Sequence, residues 1–72
     1  MAGNADRILQ YLQSILPQGA TNAEISHATG IQPHQQVFQI TRLLMTEGKI
    51  HGLQGVRGKR EWVFYARSDY PG

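Results

Sequence analysis

Two groups of side chains in this 72-residue chain have types and spacing that could do chemistry. In the first, Gln35, Gln39, Arg42 and Thr46 share one side of a helix at about 100° per residue, opposite a stripe of Pro33, Val37, Ile40 and Leu44, with Leu43 and Thr41 beside that stripe. A glutamine amide can pair with N7 and N6 of adenine, and an arginine fork with guanine or phosphate, so this side suits a major groove as well as it suits plain solvent. The second group is Arg57, Lys59 and Arg60, three cations in four positions, with Arg42 and Lys49 before them. The first forty-one residues hold one basic residue, Arg7. A net charge of +2 and a pI near 9.4 are too small to argue for a polyanionic partner by magnitude. The clustering says more, because cations gathered in one part of a small domain form a footprint for phosphates. The ordinary alternative is a solvated hairpin tip that carries Lys and Arg for solubility.

Other chemistries find little to work with. There is no cysteine, hence no disulfide and no thiolate ligand, and His27, His34 and His51 are too far apart to make a local metal pair. Ser14, Ser26 and Ser68 lack a paired His-acid arrangement, the five acids are scattered, and no glycine-rich loop opens a helix as phosphate cradles require. The expectation is therefore a protein that is not an enzyme and uses no cofactor or metal. No apolar run approaches the about 20 residues of a membrane span, and no basic-then-apolar leader is visible. A soluble protein of the cytoplasm, or of the nucleus in a eukaryote, is expected.

The elements that must position these groups are legible in order. Asn4 is placed to cap a first helix running to about Leu16, with Asp6 in its first turn and Ile8, Leu9, Leu12, Ile15 and Leu16 at core spacing, joined by Tyr11. Pro17 and Gly19 end it, and Ala20 fits a very short strand. Thr21 and Glu24 match a capping box for a second helix that packs Ala23, Ile25 and Ala28, and Gly30 supplies the positive φ that closes it. The third helix is expected over residues 33–47, with Pro33 at its first position and Gln35 folding back onto its start. Gly48 then stops it, and two strands, 49–54 and 61–67, flank a loop at 55–60. Alternation sends Trp62 and Phe64 to one face and Val63 and Tyr65 to the other, so either an aromatic pair is partly exposed or the first helix covers the second face. A chain this size buries only about 60% of its unfolded surface, which leaves a thin core and room for one domain, at 4–67, followed by a tail or linker start at 68–72.

Helix, short helix, turn, longer helix, glycine and hairpin is an order that resembles the winged helix-turn-helix superfamily over nearly the whole chain. The residues that carry the resemblance are Ala23-Glu24-Ile25 through Thr29-Gly30-Ile31, then Val37, Ile40 and Leu43 or Leu44, then Glu47-Gly48-Lys49-Ile50, and the Gly-Arg-Gly-Lys-Arg tract around Arg57. The resemblance implies an α+β fold of three helices with a two- or three-stranded antiparallel wing. It also implies a double-stranded DNA-binding module with the third helix in the major groove, serving transcription regulation or the reading domain of a larger DNA-processing protein. On that reading Gln35, Gln39 and Arg42 read bases or backbone, Gln32 and His34 lie near phosphates at the helix start, and Arg57, Lys59 and Arg60 touch the backbone. Phe38 and Met45 on the flank are expected to pack on the wing, with contact to a thymine methyl as the alternative. Some members bind left-handed duplexes through a tyrosine on that helix and a proline-tryptophan wing; Trp62 is present here without either companion. Other members are protein-interaction modules in multisubunit complexes, which is the alternative function, with a fusion or protein partner in place of DNA. No long dimerisation helix is visible, so a monomer is expected.

Overall fold

The computed structural model describes residues 3–68, and the tail expected at 68–72 lies, beyond its first residue, outside the described residues. The chain forms a small α+β domain of three helices and a three-stranded antiparallel sheet. The order is α1 (Asn4–Ile15), β1 (Ala20–Thr21), α2 (Asn22–Thr29), α3 (His34–Thr46), β2 (Ile50–Gln54) and β3 (Trp62–Ala66). β3 is central, with β1 on one edge and β2 on the other. Its register places Phe64 opposite both Ala20 and Gly52, and Val63 opposite both Thr21 and Leu53.

The core forms where the helical stripes meet one face of this sheet. Ile8, Leu9 and Leu12 of α1, Ile25 of α2, Val37 and Leu44 of α3, and Phe64 and Ala66 of β3 are buried together. Ile31, in the turn between α2 and α3, and Ile50, where the chain leaves α3, close the ends of the same cluster. The burial of each apolar stripe, more than local propensity, stabilises helices as short as these. On the other face of the sheet, Val63 is buried and Tyr65 half-buried. A methyl group on Gly19 would sit 2.6 Å from the Tyr65 ring and 2.7 Å from Val63, so the bare backbone between α1 and β1 lies directly on those two side chains. That segment therefore lies over part of the second face, while Trp62 stays partly exposed.

Several local expectations are corrected. Asn4 is not the cap of α1: Gly3 holds the extended position before the helix, no side chain caps it, and Asn4 accepts instead from the Arg7 guanidinium at 3.3 Å. Leu16 is not core but the exposed residue at which α1 ends, its ψ of 135° turning the chain out of the helix. Ala23 and Ala28 are exposed, so Ile25 alone anchors α2. Pro33 stands one residue outside α3, with ψ 169°, and Gln35 makes no capping bond. Leu43 is 55% exposed, because 100° of rotation from Leu44 carries it past the edge of the buried stripe. β2 is one residue shorter than expected and β3 is two shorter, one at each end, leaving Lys49, Glu61 and Arg67 outside the ladder.

Candidate nucleic-acid interface

The start of α2 is densely hydrogen-bonded. The Thr21 hydroxyl accepts from the Glu24 amide at 3.1 Å and the Glu24 carboxylate accepts from the Thr21 amide at 3.0 Å, a complete capping box. Arg57 then reaches across from the β2–β3 loop. Its Nη1 lies 2.9 and 2.8 Å from the two Glu24 carboxylate oxygens, and its Nη2 donates to the Gly19 carbonyl at 2.9 Å. The Thr21 amide, opposed by partial burial and aided by Arg57, holds the Glu24 carboxyl below the usual carboxylate range. Bonding to Glu24 in turn raises the Arg57 guanidinium further. Arg57 was expected among the phosphate contacts; the structure instead uses it to tie the loop back onto α2.

The loop itself is closed at its base. Gln54 donates to the Arg60 carbonyl at 2.9 Å, the Gly55 amide to the Glu61 carbonyl at 3.3 Å, and the Gly58 amide to the Gly55 carbonyl at 3.2 Å. Gly55 and Gly58 sit at φ 81° and 80°, a region that only glycine enters readily, so the tight reversal depends on them. The side chains of Lys59 and Arg60 are exposed at this tip and make no intramolecular hydrogen bond or ion pair among the described residues. Of the three loop cations, these two remain available to a partner.

α3 presents its polar side in the same uncommitted way. Gln35, Gln39 and Arg42 are exposed along its outward face, as are Gln32 and His34 at its start. None of the five has a side-chain hydrogen bond to the rest of the described chain. The His34 ring lies beside that of Phe38, with centroids 5.4 Å apart. The helix is held from behind by Thr41, which is 1% exposed and donates to Asn22 at 2.7 Å. This α2–α3 tie was not foreseen, although a threonine at the edge of an apolar stripe signals a buried hydroxyl that needs a partner.

Beside that face runs a groove of about 570 Å³. α3 supplies one wall with His34, Phe38, Arg42 and Met45, and the start of β3 supplies the other with Glu61, Trp62 and Phe64. Trp62 and Phe64 stack at 6.4 Å with ring planes 16° apart. The groove therefore joins α3 to the base of the loop that carries Lys59 and Arg60. Phe38 and Met45 line this space, and Phe38 is 51% exposed, so the expected packing of Phe38 on the hairpin is incomplete. Gly52 is a signal in the sequence that could have found this groove: a methyl group on it would meet Met45 Sδ at 2.5 Å, and a glycine within a strand marks such close approach.

Among the described residues no helix is long and apolar enough to cross a membrane. Compared with known proteins, the chain matches no family model and no curated protein sequence.

Proposed function

We propose that the chain is a winged helix-turn-helix module that binds double-stranded DNA, with α3 in the major groove and the 55–60 loop as a wing on the backbone. The observation that carries this reading is that Gln35, Gln39 and Arg42 stand exposed on α3 with no intramolecular partner, while the residues behind them are fully engaged. Donors left uncommitted in a row on a rigid helix match the hydrogen-bonding edges of base pairs. Gln32 and His34 at the α3 start, and Lys59 and Arg60 at the loop tip, are assigned to phosphates. Arg57, bonded to Glu24, is assigned to hold the wing in place rather than to touch DNA.

Measuring duplex affinity by fluorescence anisotropy over a range of salt concentrations tests the assignment. Arg42→Ala is expected to lose about 1–3 kcal/mol of binding, the worth of a good bidentate contact. The Lys59→Ala, Arg60→Ala double variant is expected to weaken binding to all sequences and to reduce the salt slope by roughly 2. Folded variants that bind as the parent does would remove the proposal.

A second reading, a protein-interaction module, is favoured by a different observation. Phe38, Leu43, Leu53, Val56 and Trp62 all expose large apolar side chains. On that reading Leu43→Ala and Phe38→Ala abolish capture of a protein partner, and duplex DNA gives no saturable binding at any salt concentration.

A further inference from the structure

The groove between α3 and β3 shares His34 and Arg42 with the surface assigned to DNA above, and its remaining lining, Phe38, Met45, Glu61 and Trp62 among it, has no role there. The α3 wall carries the paired rings of His34 and Phe38, and the β3 wall carries Trp62, backed by the buried ring of Phe64. Its volume of about 570 Å³ falls within the about 300–1,000 Å³ of small-ligand sites. Residues of opposite charge line it, Arg42 on α3 and Glu61 at the foot of the loop. At its α2 end lies Asn22, whose side-chain oxygen is occupied by Thr41 and whose amide N–H groups make no bond within the described chain. A carboxylate beside a phosphate-binding loop is repelled by a DNA backbone, yet a glutamate accepts well from the exocyclic amine of a base.

Flat aromatic walls, a donor, an acceptor and a neighbouring cation together fit one chemical class. We propose that the groove takes a single nucleobase with an exocyclic amine, extruded from the duplex or already unpaired. The base stacks on Trp62 and its amine donates to Glu61, while Arg42 at the groove margin keeps its contact with the neighbouring duplex. Aromatic platforms hold unstacked bases in this way, and extrusion costs least where the nucleotide has no partner. The inference rests on the DNA-binding reading above and gives it a specificity: unpaired or weakly paired positions are preferred over intact duplex.

Trp62 is the only tryptophan in the chain, so its emission reports on this groove alone. The intact protein is titrated with two duplexes of one sequence, one fully paired and one with a single bulged cytosine. The expected result is about tenfold tighter binding to the bulged duplex, of the order of one base–aromatic stack, with quenching of Trp62 only there. Trp62→Ala and Phe38→Ala, both at substantially exposed positions, should each erase the preference while paired-duplex binding remains; the pair of variants guards against misfolding of either. Glu61→Gln should narrow the preference for bulged cytosine over bulged thymine. Equal affinity for both duplexes with unchanged Trp62 emission overturns the base pocket, leaves DNA binding standing, and gives the groove to a protein partner. Failure of either duplex to bind overturns both readings.

Discussion

Helices α2 and α3 both pack on the same core, and they treat their polar groups in opposite ways. α2 begins in a reciprocal capping box, is gripped by Arg57 from the loop, and ends on Gly30 at φ 74°. At its C-terminal end Arg7 also donates to the Thr29 carbonyl, and the Ser26 hydroxyl donates to the Ile31 carbonyl at 2.9 Å. α3 begins without a side-chain cap and leaves its glutamines and Arg42 unbonded. The difference teaches where the chain spends its donors. Hydrogen bonds converge on the short helix that needs them to exist, whereas the longer one is secured by burial and by Thr41 and keeps its outer side free for something else.

The comparison can be broken most violently at the anchor of α2. Ile25 is fully buried, and with Ala23 and Ala28 exposed no other side chain of that helix is in the core. Ile25→Ala is expected to cost about 2–5 kcal/mol in urea unfolding, enough to unfold much of a domain this small. Thr21→Ala comes next. It removes half of the capping box and should cost about 0.5–2 kcal/mol by the same measurement.

Glu24→Gln isolates the charge, since an amide oxygen can still accept from Thr21. Both partners of the Glu24–Arg57 pair are 40% exposed or more, so the loss should be smaller than that of Thr21→Ala. It carries a pH signature. Because the folded-state pKa of Glu24 is lowered, its contribution is complete above the ordinary carboxylate value of about 4.3 and is lost as pH falls through the folded value. Parent and variant stability curves, measured by thermal unfolding at stepped pH, should separate above that value and converge below it. The same variant frees the loop, so amide exchange at residues 55–60 should quicken. The smallest effects belong to α3: Gln35→Ala, Gln39→Ala and Leu43→Ala are expected to change stability by within about 0.5 kcal/mol, in keeping with exposed positions that the fold does not use. A large loss at any of them would erase the contrast between the helices.

How much of this could be read from sequence follows the range of the interactions. The Thr21–Glu24 box, the Gly30 stop and the Val37–Leu44 stripe are set by residues three, four and seven apart, and the structure has them where spacing put them. Boundaries moved by a residue at Asn4 and Pro33, where a residue type suited to a helix start was present but the backbone turned one position earlier or later, and at Leu16, where the apolar spacing ran one residue past the helix. What spacing could not supply was contact across the fold. Arg57 meets Glu24 over 33 residues, Thr41 meets Asn22 over 19, and the Trp62 groove needs α3 and β3 side by side. In the candidate interface this mattered most for Arg57, since its type and neighbours matched Lys59 and Arg60 and only the folded chain separates it from them.

The claim that the outer side of α3 and the loop tip form one DNA-binding surface is tested most directly by an amide-resolved titration of the intact protein with duplex DNA at two salt concentrations. The account predicts saturable shifts concentrated at Gln35, Gln39, Arg42, Lys59 and Arg60, with affinity falling steeply as salt rises. Shifts gathered on α1 and the outer strand face, or none at all at low salt, would contradict it.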